Sequence, residues 1–166
     1  MSQTENNLKT AFAGESQANR TYLAFAKKAE EEGYEGVAEL FKAAAAAETV
    51  HAHNHLNVLK TTKSTLENLQ EAYNGEHHEF TEMYPEFIEK SKKEGANEAF
   101  RSFHYANEVE KIHGDLYQKA IDSMKAGNDI AQKDYYVCPT CGYTVADNVP
   151  EKCPVCGANK EMFNKV

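Results

Sequence analysis

Apolar residues return every three or four positions through most of the first 126 residues, the period of helices with one buried face. The first stripe is Leu8, Phe12, Glu15, Tyr22 and Ala29, which predicts a helix from near Thr4 to about Glu32 that stops at Gly33. Beyond the turn Gly33-Tyr34-Glu35-Gly36, a second stripe takes Val37, Phe41, Ala44, Glu48, His51, His55 and Val58. Its small run, Ala43 to Ala47, lets neighbouring helices come close. Lys60 to Lys63 is polar, and Ser64 or Thr65 suits the N-cap of a third helix with Leu66, Leu69, Tyr73, Glu76, Phe80, Met83 and Phe87 inward. Pro85 interrupts that pattern and predicts a kink or the loss of one hydrogen bond. A fourth helix, from about Ala96 to Ala126 and closed by Gly127, points Phe103, Ala106, Glu110, His113, Tyr117, Ala120 and Met124 inward. Four amphipathic helices with short turns make a bundle.

The anomaly in this pattern is that every stripe carries a glutamate. An apolar face gains nothing from an unpaired carboxylate, and the stripes hold no Lys or Arg to neutralise one. Two of the glutamates recur with a histidine one turn later, Glu48-x-x-His51 and Glu110-x-x-His113, and residues three apart share a helix face. Bundles that hold two metal ions use Glu-x-x-His from two helices and a lone Glu from each of the other two, the places Glu15 and Glu76 would fill. Glu79 stands one turn after Glu76 and adds another carboxylate. Left without cations, Glu15, Glu48, Glu76, Glu79 and Glu110 would each cost several kcal/mol or take up protons, and two divalent ions resolve that conflict. His53, His77 and His78 fall off the stripes and read as solvated, whereas His55 and His104 suit a core or supporting place better than ligation.

With 166 residues, 41% of them hydrophobic, the chain can hold one fair-sized core and a small second unit. A net charge of -8 with no Lys/Arg cluster excludes a phosphate-reading surface, so no nucleic acid is expected. No eighteen apolar residues run together and the start shows no signal-like pattern, so a soluble, cytoplasmic protein without a membrane partner is expected. Cys138-Pro-Thr-Cys141-Gly and Cys153-Pro-Val-Cys156-Gly are paired knuckles whose glycines permit the tight turn that aims N–H groups at sulfur. Four thiolates make a tetrahedral site that suits zinc or iron by geometry, so a zinc ribbon stays open at this point.

Over its full length the chain resembles a rubrerythrin. The likeness is carried by Ala11-Phe12-Ala13-Gly14-Glu15-Ser16-Gln17-Ala18, the two Glu-x-x-His motifs, Gly75-Glu76-His77-His78-Glu79 with Met83-Tyr84-Pro85, and the double knuckle. Only the residues from Gly142 to Lys152 separate the knuckles, far fewer than in a free-standing rubredoxin but similar to the family's appended version. The resemblance implies a mainly α chain: a ferritin-like dimetal four-helix bundle over 1–134 and a rubredoxin-like four-Cys domain over 135–166. It implies two irons in the bundle and one iron on Cys138, Cys141, Cys153 and Cys156. Glu48 and Glu110 would bridge, Glu15 would be terminal on one iron, Glu76 and His113 would complete the other, and Glu79 and His51 would compete for the remaining position. Tyr22 and Tyr84 match family tyrosines that hydrogen-bond ligand carboxylates. The implied reaction is reduction of hydrogen peroxide to water, with electrons arriving through the tail from an external donor, a rubredoxin or an NADH-linked reductase. Two rivals are a ferritin-like ferroxidase or iron-storage role, against which an electron-delivery tail argues, and a zinc-ribbon interaction module on a bundle.

Chain length adds an expectation about assembly. In a ferritin-like bundle the second and third helices run parallel, so the chain must return the length of the bundle between them. The patterns leave about five residues for a return of roughly 28 Å, too few even when extended. A domain-swapped homodimer is therefore expected, each dimetal site drawing on both chains.

Overall fold

The computed structural model describes residues 2–166 and divides into two compact units, one ending at Lys63 and the other Ser64–Val166. The first unit is a helical hairpin of α1 (Gln3–Glu31) and α2 (Glu35–Leu59). Ser2 caps α1, its Oγ accepting from the Glu5 N–H at 3.1 Å. What this unit buries is small: Ala26, Ala29, Ala38, Ala45 and Ala52, with Asn19 among them. Alanine pairs bring the two backbones close, and Asn19 uses that closeness to bridge the helices. Its Nδ2 donates to the Ala45 carbonyl at 2.6 Å and to Thr49 Oγ1 at 2.9 Å. Tyr22, Phe25 and Phe41 cluster beside it, yet Leu40, Val50 and Val58 remain more than half exposed.

Lys60 ends α2 in the left-handed conformation (φ 53°), and the polar linker runs to Ser64, which caps α3 (Thr65–His78) through a reciprocal box with Glu67. The boundaries fall where the apolar patterns placed them.

The third helix departs from the expected single kink. A π-helical turn, Glu79–Met83, separates α3 from α4 (Tyr84–Glu94), and the Tyr84 N–H reaches back five residues to the Glu79 carbonyl. Pro85, in the first turn of α4, has no N–H to continue the α ladder, and the wider turn absorbs that loss without breaking the rod. The turn begins at Glu79, one of the predicted carboxylates.

From Asn97 to Lys125 the chain forms α5, packed on α3, the π turn and α4. Gly114 makes part of this packing possible, since a Cβ there would sit 3.2 Å from Phe80 Cε1. Val109, Ala120 and Ile121 are buried along the same helix.

The tail is a small antiparallel sheet in the order β2-β1-β3, from β1 (Tyr135–Val137), β2 (Thr144–Ala146) and β3 (Asn164–Lys165). Tyr136 pairs with Val145 on one side and Lys165 on the other. The tail's first knuckle is seated on α5: Gly142, at φ +85°, would place a Cβ 3.7 Å from Val109 Cγ1.

Asn19→Ala tests what joins the hairpin. Removing a buried amide with two acceptors should lower stability by about 1–3 kcal/mol, measured by thermal or denaturant unfolding.

Candidate metal centres

Each unit carries one cluster of Glu and His donors, and the second carries the four cysteines as well. In the first, α1 supplies Glu15 and α2 supplies Glu48 and His51, the last two held on one face by their i, i+3 spacing. His51 Nδ1 lies 2.7 Å from Glu48 Oε2 and 3.9 Å from Glu15 Oε1. The Asn19 bridge sits one turn from Glu15 and beside Glu48 through Thr49, so it fixes the relative height of these carboxylates.

The second cluster repeats the arrangement. Glu76 comes from the last turn of α3, and Glu110 and His113 from the middle of α5. His113 Nδ1 is 2.6 Å from Glu110 Oε2 and 3.9 Å from Glu76 Oε1. The two clusters thus match in composition and in both imidazole-to-carboxylate distances.

The electrostatics of the second cluster are those of a cation site without a cation. Burial, reinforced by a hydrogen bond and charge repulsion from Glu110, pushes Glu76 up to about 7. Glu79, at the start of the π turn, is raised by burial and by Glu110's charge. Burial also opposes ionisation of Glu110, but hydrogen bonds from His113 and Glu76 outweigh it and hold Glu110 below its ordinary value. His113 is raised, chiefly by its hydrogen bond to Glu110. Glu76 and Glu110 thus resist ionising together, and a divalent ion between them would relieve that conflict, so the donor set fits a metal.

Two tyrosines border this cluster. Tyr84 and Tyr117 are both raised by burial and then by the surrounding glutamates. Tyr84 was expected near the carboxylates; Tyr117 stood only among the apolar stripe residues, although its place one turn after His113 was the available signal. Tyr22, by contrast, packs on Phe25 and Phe41 within the first unit.

The four cysteines converge in the tail as free thiols, with Cys138 and Cys153 buried. Cys138 Sγ lies 3.5 Å from Cys156 Sγ, and Cys141 Sγ lies 3.5 Å from Cys153 Sγ. A disulfide needs about 2.05 Å. Four sulfurs at about 2.3 Å from one ion would stand roughly 3.8 Å apart, close to what is observed. The knuckles are closed by the Gly142 and Gly157 N–H groups, which donate to the Cys138 and Cys153 carbonyls at 2.9 Å. Although burial disfavours its thiolate, Cys138 is lowered to about 7 by N–H groups of Thr140 and Cys141 and by its sulfur neighbours. Cys141 and Cys156 are raised, with burial the largest cause. The Cys138 thiolate forms readily, whereas burial holds Cys141 and Cys156 as thiols that a cation would deprotonate.

A hydrogen bond joins tail and helix within the second unit. His113 Nε2 lies 3.0 Å from Thr144 Oγ1, and Thr144 Oγ1 donates to the Gly142 carbonyl at 3.0 Å. Nothing in the sequence pattern singled out Thr144. Among the described residues no helix is long and apolar enough to cross a membrane.

Comparison with known proteins agrees with these donor sets. The family model described as Rubrerythrin matches residues 6–121, and that described as Rubrerythrin, rubredoxin-like domain matches residues 136–164. The chain is 42% identical to Rubrerythrin-2 of Clostridium acetobutylicum over 96% of its own length and 95% of the relative's. It is 37% identical to Nigerythrin of Nitratidesulfovibrio vulgaris, covering 96% and 85%. Among solved structures, one titled as a mixed-valence state of nigerythrin matches all of this chain and 88% of its own, at 35% identity and a TM-score of 0.59. The four-Cys cluster therefore fits a rubredoxin-like iron site, and the Glu/His clusters fit a diiron site.

Protons on the second cluster must leave before a cation can take their places. Glu76 keeps its proton up to about pH 7 when metal-free, and His113 titrates above its ordinary value. Divalent-ion uptake should therefore release more protons at about pH 6 than at about pH 8, and the apparent affinity should climb as pH rises through 7. Calorimetric titration in buffers of different ionisation enthalpy measures both.

Proposed function

This chain belongs to the rubrerythrin family, and we propose that it is a peroxidase reducing hydrogen peroxide to two waters with electrons that enter through its four-thiolate tail. The observation that carries this reading is the contact between the two centres' ligands: the knuckle holding Cys138 and Cys141 is seated on α5 and hydrogen-bonded, through Thr144, to the ligand His113. A storage protein has no use for an electron module joined to its metal ligand. Solved neighbours titled as partially reduced and fully reduced, all-ferrous nigerythrin support redox cycling as the family's chemistry.

Glu48 and Glu110 would bridge the two irons, Glu15 would serve one ion, and Glu76 with His113 the other. Glu79 and His51 would share the remaining position. The reaction takes two electrons and two protons per peroxide; two ferrous ions held by these residues would supply both electrons, a chemistry that need release no radical. Exchanging the anionic Glu79 for the neutral His51 on reduction would offset part of the charge lost by the ions. Tyr84 and Tyr117 would orient the carboxylates of the second cluster. The external donor would be a rubredoxin or an NADH-linked reductase, and the cytoplasm the place of action.

Neither cluster alone holds two ions, and the linker decides how they combine. Glu48 stands eleven residues before the end of α2, and Glu76 eleven residues after the start of α3. Helices at about 1.5 Å per residue would then need a return of about 33 Å to bring both to one height. Lys60 to Ser64 spans at most about 18 Å. We therefore propose a domain-swapped homodimer in which α1 and α2 of one chain complete the bundle over 1–134 with α3, α4 and α5 of its partner. The exposed Leu40, Val50 and Val58 of the first unit give that unit reason to seek cover.

Anaerobically reduced protein should be reoxidised faster by peroxide than by dioxygen in stopped-flow absorbance; the reverse order would exclude the peroxidase. Cys138→Ser should keep bundle iron but lose turnover with an external reductant. Glu48→Ala and Glu110→Ala should each empty the bundle while sparing the tail's colour. Co-expressed, these two variants should recover roughly a quarter of the sites, because a swapped heterodimer contains one intact set. No recovery, or a dilute monomer with both bundle irons, would refute the swap.

A further inference from the structure

We propose that Thr144, a residue of the tail, is a positioning residue for the bundle's metal pair: it holds His113 in the tautomer whose Nδ1 faces the metal. The inference rests on the diiron reading above and concerns which residue prepares the imidazole for it.

The argument is a proton count. A threonine hydroxyl has one hydrogen to donate and lone pairs with which to accept. Thr144 Oγ1 spends its hydrogen on the Gly142 carbonyl, 3.0 Å away. At the 3.0 Å contact with His113, Oγ1 must therefore accept, and Nε2 must carry the hydrogen. Without a cation Nδ1 also donates, to Glu110 at 2.6 Å; a cation would displace that hydrogen, and the ring left protonated on Nε2 would turn its Nδ1 lone pair to the ion. A ligating histidine is commonly set in this way by a partner on its far nitrogen.

The hydroxyl is itself held in place. Thr144 opens β2, paired with Val137 of β1, and the knuckle ahead of it rests on Val109, one turn before His113 on α5. The knuckle geometry thereby fixes the Gly142 carbonyl, the carbonyl fixes the hydroxyl, and the hydroxyl fixes the ring. The other cluster lacks this support. His51 Nδ1 faces Glu48 and Glu15 at nearly the same distances, but among the described residues no hydrogen bond holds its Nε2. The two imidazoles are chemically matched and mechanically different: His113 is held on both nitrogens and His51 on one.

The test uses full-length protein with iron in the tail and a metal-free bundle. Cobalt(II) titration of the bundle should be about 10–100-fold weaker in Thr144→Val, which keeps the shape and loses the hydroxyl, and near native in Thr144→Ser. Glu110→Ala runs beside them as the control for the diiron reading: unchanged cobalt uptake there defeats that reading, whereas lost uptake there with native affinity in Thr144→Val defeats the role of Thr144 alone. A second measurement needs no variant. In native protein with zinc in the bundle, the His113 ring should show a slowly exchanging Nε2–H by nitrogen-15 NMR. A rapidly exchanging Nε2–H, or a hydrogen on Nδ1, would overturn the proposal whatever the variants do.

Discussion

Carboxylates of like charge cannot share a partly buried space without a proton or a cation between them, and most of the second unit is arranged around that constraint. Glu76 and Glu110 stand together under Tyr84 and Tyr117, and the strain shows in Glu76, which burial and its neighbour push up to about 7. A fold that wanted only stability would place apolar residues there. This one brings α3 against α5, inserts a π turn that starts at Glu79, and clears a path for Phe80 by leaving Gly114 without a side chain. Each of these features keeps carboxylates close where separation would be cheaper, and a divalent pair turns the conflict into binding.

The two units answer the constraint differently. The first has little core of its own: alanines, one bridging asparagine and an exposed set of larger apolar side chains. Its donors Glu15, Glu48 and His51 stand on helices that pack closely but shallowly, and His51 is held on one nitrogen only. The second has a deeper core around Val109 and Ile121, and its histidine is held from both sides, by Glu110 and by the tail. In the swapped dimer proposed above, an adaptable half-site from one chain meets an anchored half-site from the other. A centre whose charge changes during turnover has use for both properties.

The family places this chain among diiron proteins with an appended four-sulfur iron site, and the joint between its modules gives that combination mechanical content. Tail and α5 meet along Val109 and His113, one turn apart on one helix face, so the knuckle and the His113 ring are mechanically joined.

Much of this was legible in the chain, because helices and knuckles are local. A period of 3.6 residues placed α1, α2 and α5 to within a residue or two, and Ser64 or Thr65 marked the start of α3, where the structure shows Ser64 boxed with Glu67. The i, i+3 spacing put Glu48 beside His51 and Glu110 beside His113, and Cys-x-x-Cys-Gly defined each half of the sulfur site. Pro85 signalled a disturbance in the third helix but not its form, since a π turn depends on what packs against the rod as well as on the missing N–H. Contacts between distant parts of the chain belonged to the tertiary structure alone. That Tyr117 borders carboxylates rather than plain core, and that Thr144 reaches a histidine 31 residues away, follow from how α3, α5 and the small sheet pack. Periodicity tells which face a residue occupies, and only packing decides what that face meets.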